Sequence, residues 1–261
     1  MDFMTIVGTV VGCGVIYFVL STGNMVQFLL NPEAIILIFG GTLGSVLISY
    51  PWSAIRHVPS GLLMMLRPPR RPTAQHLIQV FVHLAETSLR EGTQALSSAI
   101  PNAPHPFLAD GLHMLIDGLE VEVMRDRFER DIISTRQRHT QLCGIFRSAG
   151  TFAPIFGLLG TLIGVVQVLR NITNPSAMGA SMAVAMTASF YGIFSANFLF
   201  LPIATKLNFY SEEEMLNRDI IAKGIISLYH KEAPWLISRK LEGYMSYYLR
   251  RDGAKKYRVA A

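Results

Sequence analysis

Two apolar runs carry small and polar residues at the spacing a conduit through a membrane would need. In PIFGLLGTLIGVV, residues 154–166, Pro154, Gly157, Thr161 and Gly164 recur at intervals of three, four and three, which places them along one helix face. A soluble core helix would use alanine and leucine there, because each interior glycine costs about 1 kcal/mol of helix stability. A second run repeats the pattern with Ser181, Ala185, Ala188 and Gly192, and Ser189 lies beside that stripe. Small faces let apolar helices approach closely, with Gly157, Gly160, Gly164 and Gly192 as the packing positions, and the hydroxyls between them can flank an ion. Helix packing alone also accounts for a stripe of small residues. The prolines weigh against a purely structural account. Pro154 and Pro202 lie at matching ends of the two runs, each frees a backbone carbonyl, and such pairs accompany mobility or a pore lining.

The chemistry available within these runs is limited. The hydroxyls of Thr161, Thr187 and Ser189 do not exchange protons near neutral pH, and the apolar runs contain no Asp, Glu, Lys or His. Ion transfer here requires a titratable group from another chain. No Walker A motif, HExxH, CxxC or G-x-S-x-G occurs, and VGCGVIY near the start lacks the third glycine of a dinucleotide loop. The seven histidines are scattered without a metal-ligand pair on one helix face. An enzyme, a resident metal and an organic cofactor are therefore not expected.

The elements that must hold these residues are membrane helices. Of the 261 residues 51% are hydrophobic and 16% charged, and the mean hydropathy is +0.36, outside the balance of a soluble domain. Four stretches, 3–20, 35–50, 149–169 and 179–204, are long and apolar enough to be read as spans. Asn31 as N-cap, Pro32 and Glu33 give the second a clean start. The loops after spans one and three lack Lys and Arg, whereas 52–148 holds eleven arginines and 205–261 another eleven basic residues. The positive-inside rule then puts both basic segments and both termini in the cytoplasm, and the +5 net charge is an orientation signal. No nucleic-acid motif accompanies it. The start MDFMTIVG has no basic n-region and no cleavage-like site follows, so the first helix is expected to stay. Cys13, inside a span, and Cys143, on the reducing side, are read as packing residues.

The expected architecture is an all-α integral membrane protein of four transmembrane helices with a large cytoplasmic helical loop and a helical C-terminal tail. Residues 1–51 form spans one and two, 52–148 the cytoplasmic helical region, 149–205 spans three and four as the wall of the ion path, and 206–261 the cytoplasmic C-terminal helix and tail. RPPRRP at 67–72 is a stiff basic connector to the anionic inner leaflet. From Thr73 a helical stripe runs through Leu77, Val80, Phe81 and Leu84, a unit that ends at PNAPHP, 101–106. A second helix from about Phe107, through Leu112, Leu115, Leu119, Val123, Phe128 and Ile132, runs nearly unbroken toward the third span. After the fourth, Leu207, Met215, Ile220 and Ile226 continue a stripe, so that the spans extend below the membrane as stalks. RRDGAKKYRVAA is a loose basic end.

AGTFAPIFGLLGTLIGVV, AMGASMAVAMTASFYGIFSANFLFLPIATKL and the cytoplasmic DRFERDIISTRQRHTQ together resemble the MotA/PomA family of flagellar stator proteins, over most of the chain. The resemblance implies a bacterial inner-membrane protein forming a homo-oligomeric ring, a pentamer around a dimer of a MotB/PomB-type partner that supplies the ion-binding aspartate. Proton or sodium flow past that aspartate then turns the ring against the rotor switch protein, FliG. Carried over by position, Pro154 and Pro202 couple ion movement to shape change, and Thr161 and Ser189 face the ion path, where the family usually has Thr at the second place. Ala188 stands where sodium-driven members carry another Thr, which weakens the sodium reading. Arg90 matches the rotor-facing basic residue. Ser97 and Ser98, in ALSSAI, replace the carboxylates expected a turn or two later, so that either Glu86, Glu91 or the helix in the 120s supplies that charge, or the rotor partner differs, or the stator powers something other than a flagellum. An ExbB/TolQ-like energiser is the alternative, disfavoured by the two closely spaced N-terminal spans where that type has one; a non-conducting membrane scaffold is a third reading.

Overall fold

A computed structural model describes residues 3–23, 31–66 and 71–245. Residues 67–70 of the basic connector, 24–30 of the first outer loop and the basic end 250–261 lie outside the described residues. The described chain is helical: α1 (Phe3–Thr22), α2 (Pro32–Ser49), α3 (Trp52–Ile55), α4 (Val58–Leu66), α5 (Ala74–Glu91), a 3₁₀ segment (Thr93–Asn102), α6 (Pro106–Ile116), α7 (Val121–Arg170), α8 (Pro175–Tyr229) and α9 (Pro234–Glu242). Four of these, α1, α2, α7 and α8, contain stretches long and apolar enough to cross a membrane. Two compact units arise from interleaved segments: Met1–Pro69 with His139–Phe209, and Arg70–Arg138 with Tyr210–Ala261.

The first unit is the apolar one. Asn31 Oδ1 accepts from the Glu33 and Ala34 backbone N–H groups at 3.0 and 3.2 Å, so α2 begins at the N-cap its sequence specifies. Neither α2 nor α8 is a uniform α-helix. Each contains one widened π turn, Ile36–Gly40 in α2 and Ala196–Phe200 in α8. The second lies immediately before Pro202, whose ring obstructs the ordinary turn and whose nitrogen donates no hydrogen bond. Pro154, by contrast, lies within an unbroken α-helix. The Lys206 ammonium donates to Thr5 Oγ1, and Gly12 faces the Phe198 ring, so α1 runs beside α8 with residues 5 and 206 at the same end. The remaining face of α1, with Val10, Val15 and Phe18, is exposed in the single chain, as is Cys13; Cys143 is buried beside Phe146 and Leu207. Cys143 therefore packs as read, while Cys13 is not covered within the single chain.

The second unit is a water-soluble type of core. The Thr73 hydroxyl caps α5, whose Leu77, Phe81 and Leu84 are buried against Ile220, Ile221 and Ile225 of α8 and Ile237 and Leu241 of α9. Two helix boundaries differ from the sequence reading. The α5 unit stops at Gly92, whose φ of 85° suits glycine, rather than at PNAPHP, and ALSSAI folds as 3₁₀. The second helix is also not continuous from Phe107: Gly118, at φ 73°, ends α6, and the Leu119 N–H bonds back to the Met114 carbonyl at 3.2 Å. The apolar stripe therefore restarts in α7 on Met124 and Phe128, leaving Val123 exposed.

Charged groups tie this unit together. Arg218 pairs with Asp131 at 2.5 Å and Glu214 at 3.2 Å, Glu214 pairs with Arg71 at 2.8 Å, and the Arg218 guanidinium lies 4.9 Å from the centre of the Phe107 ring. Beside it His105 caps α6, its Nδ1 accepting from the Phe107 N–H at 3.1 Å. That bond requires an unprotonated Nδ1. Burial, then the neighbouring Arg218, pushes the His105 pKa below its ordinary 6.5, Glu214 opposing and Arg71 adding slightly. The unfolded chain thus takes up the proton first. The stability His105 contributes is complete above pH 6.5 and is lost as pH falls through the lower folded value. The protection factor of the Phe107 amide against hydrogen exchange, corrected for the intrinsic rate at each pH, is expected to fall over that acidic interval. His105→Asn, which keeps a cap acceptor but does not titrate, flattens the profile, and His105→Ala loses about 1 kcal/mol at neutral pH.

Candidate functional site

The small-residue stripes of α7 and α8 meet within one chain. A Cβ added to Gly157 would lie 3.2 Å from the Ala188 carbonyl oxygen and 3.3 Å from the Gly192 Cα; one added to Gly192 would lie 2.7 Å from the Ala153 carbonyl oxygen. Gly164 faces Ala185 in the same way, its added Cβ 3.0 Å from the Ala185 Cα, while Gly160 faces Ala188 and Leu37. The backbones approach so closely that no larger side chain fits between them. All four packing glycines named from sequence lie in this seam.

The buried line on α7 is Ala153, Gly157, Gly160 and Gly164, one position removed from the face that spacing alone gave. Pro154 and Thr161 lie at its edge, each half-buried. On α8, Ser181, Ala185, Ala188 and Gly192 are buried, and Ser189 is half-buried at the margin. The two groups therefore separate into a closed glycine–alanine seam containing Ala188, and a bordering set of Thr161, Ser189 and Pro154 that the seam leaves partly accessible. The Thr161 hydroxyl donates to the Leu158 carbonyl at 2.6 Å, which orients its oxygen lone pairs as acceptors. Pro202 follows the π turn of α8. The π turn of α2 was not legible in sequence, because Ile36–Gly40 has ordinary helical composition; it packs Ile38, fully buried, against Ala153, Ala188 and Ala196.

On the second unit, Glu86, Arg90 and Glu91 are exposed on the last turns of α5. Ser97 and Ser98 are exposed on the 3₁₀ segment, their hydroxyls donating to the Gln94 and Ala95 carbonyls at 2.8 Å. Gln94 Nε2 donates to the Ile116 carbonyl at 3.4 Å, bringing the end of α6, with exposed Asp117, beside that segment. Asp117 escaped the sequence reading; the stop signal that reveals it is the glycine after Asp117.

Residues 99–220 match the MotA/TolQ/ExbB proton channel family. Motility protein A of Bacillus subtilis (strain 168) is 32% identical over 250 residues, spanning 94% of this chain and 91% of that protein. Chemotaxis protein PomA of Vibrio alginolyticus is 30% identical over 250 residues, spanning 94% and 96%. The structure of the flagellar MotAB stator complex from Bacillus subtilis contains a chain that superposes with a TM-score of 0.84 at 31% identity, over 97% of this chain and 99% of that one. The C. jejuni MotAB structure shares the fold, with a TM-score of 0.85 at 22% identity over 95% and 97%.

The seam itself is testable. Gly164→Val forces α7 from α8 and is expected to lower thermal stability in detergent by about 1 to 3 kcal/mol, the usual cost of overpacking. Gly179→Ala, with open space around its Cα, is expected to be neutral or slightly stabilising in the same melting experiment.

Proposed function

The chain belongs to the MotA/TolQ/ExbB proton channel family, and on that premise we propose that it is the ring subunit of an ion-driven flagellar stator whose spans line a route completed by a MotB-type partner. The family is one of channels and stators, not of enzymes, and the chain is a multi-pass membrane protein of the MotA/PomA-like stator kind. The observation that carries the proposal is the edge of the α7–α8 seam: Thr161 and Ser189 offer hydroxyl oxygens there, yet the spans hold no Asp, Glu, Lys or His. A carboxylate on a partner helix placed against this edge would find polar neighbours at low cost and would be the only proton-exchanging group at that depth. The flagellar MotAB stator complex of Bacillus subtilis, in which MotA is joined by MotB, supports its inclusion.

In this reading several copies close a ring around the partner, with both termini in the cytoplasm, as the distribution of basic residues indicates. Ion passage shifts the Pro154 and Pro202 region, and the second unit presents Arg90 to the rotor switch protein, with Glu86, Glu91 and Asp117 as the nearby carboxylates. Protons are the favoured ion, since the resemblance puts Ala188 where sodium-driven members carry a Thr.

Swimming speed and ion flux in cells expressing this chain with its MotB-type partner, measured while the proton and sodium gradients are varied separately, test the proposal. Rotation is expected to fail when the proton-motive force collapses and to survive removal of sodium. Thr161→Val is expected to reduce flux about tenfold, the worth of one hydrogen bond to a charged group, with assembly intact. Undiminished flux in that variant would remove Thr161 from the ion path. Arg90→Glu is expected to abolish torque while flux persists, with partial rescue when an opposing charge on the switch protein is reversed; unchanged torque would remove Arg90 from the rotor surface.

A further inference from the structure

The segment following the second span exposes an apolar face at the level where the membrane ends. Trp52 starts α3 three residues after Ser49 ends α2, and Tyr50 between them shares a 2.8 Å hydrogen bond with Ser148 on α7. One side of α4 is packed: Gly61 meets Leu142, and Val58, Met64 and Met65 pack against the cluster of Cys143, Ile203 and Leu207. The other side is not covered. Trp52 is 74% exposed and Leu63 58%, with Leu62 also exposed.

Along the sequence, this stretch carries charge of one sign. From Ala34 to Ala85 the chain contains no Asp or Glu and four arginines. Arg56 and His57 are exposed between α3 and α4, Arg56 Nε donating to His57 Nε2 at 3.4 Å, and Arg56 has no ion-pair partner among the described residues. An exposed indole ring and, four residues on, an exposed guanidinium within a few residues of a span are suited to the headgroup zone of a bilayer: the ring fills the boundary with the acyl chains and the guanidinium takes phosphate oxygens in a forked geometry.

We propose that α3 and α4 form a docking surface for anionic phospholipid of the inner leaflet, with Trp52, Leu62 and Leu63 in the boundary layer and Arg56 on the lipid phosphate. The occupant follows from the continuity of this segment with the membrane span and from the exposed Arg56 guanidinium it carries. The proposal rests on the cytoplasmic placement of the loop after α2. Bound lipid would brace α4 against the inner ends of α7 and α8, next to Pro202.

The chain has two tryptophans, so Trp52 can be read by difference. Assembled complexes carrying Trp235→Phe, with and without Trp52→Phe, are reconstituted into phosphatidylcholine vesicles. The vesicles are doped at equal mole fraction with phosphatidylcholine or phosphatidylglycerol brominated near the glycerol end of the acyl chains. Both lipids are expected to quench Trp52. The phosphatidylglycerol quenches more, matching about fivefold enrichment at the ring, the factor for one basic side chain at an anionic surface. Arg56→Gln is expected to equalise the two lipids, and Arg56→Lys to preserve most of the difference. No quenching by either lipid would overturn the proposal and indicate that a neighbouring protein surface covers Trp52. Equal quenching in the Arg56-containing complex would overturn it as well, and needs no variant at that position. Ion conduction is not read here, so failure of lipid docking leaves the channel reading standing, and failure of flux leaves the lipid result standing.

Discussion

The close approach of α7 to α8 is the constraint on which the membrane unit depends. In an apolar solvent, burying more leucine brings helices together no more strongly than lipid does, so association relies on van der Waals contact at short range. Gly157, Gly160 and Gly164 against Ala185, Ala188 and Gly192 supply that contact, with backbone atoms of one helix nearly touching those of the other. The glycines weaken each helix taken alone. The bilayer offsets that loss, because an unwound backbone has no water to bond with there. A slim seam also brings hydroxyls at its margin close to whatever lies outside it, which side chains of leucine size would prevent.

The two π turns follow from the same crowding. Each inserts one extra residue into a turn, rotating the following side chains without breaking the helix. In α2 this accompanies Ile38 seated against Ala153, Ala188 and Ala196; in α8 it precedes Pro202. Alternative hydrogen-bond registers at such positions differ by little energy, which makes them natural points for a helix to adjust as charge passes nearby.

The second unit obeys different rules because water is its solvent. Two of its helices, α5 and α6, end at glycines with left-handed backbone, its core is leucine, isoleucine and phenylalanine, and its charged groups are linked by Arg218, bound to Asp131 and Glu214 and stacked on Phe107. A core of this type makes a stiff platform for exposed charges on α5 and at the end of α6. Stiffness is what a surface needs if it is to transmit force through a few polar contacts.

Sequence alone determined the membrane class, the four spans, the capped start of α2, the packing glycines and the absence of Asp, Glu, Lys and His within the spans. These follow from composition and from the periodicity of local geometry, which need no knowledge of neighbours. The family pattern was legible too, since its motifs are contiguous. Only the tertiary structure decided which side of each stripe is closed. Ala153 and Gly160, not Pro154 and Thr161, occupy the buried line on α7, because helix rotation is set by the partner helix and one position shifts a side chain by about 100°. It also decided that Ala188 belongs to the seam, that helices end at Gly92 and Gly118 where the apolar period continued past both, and that Asp117 is carried beside the 3₁₀ segment. Those outcomes depend on contacts between residues distant in sequence, such as Gln94 with Ile116 and Gly157 with Gly192, and no local pattern encodes which two surfaces will meet.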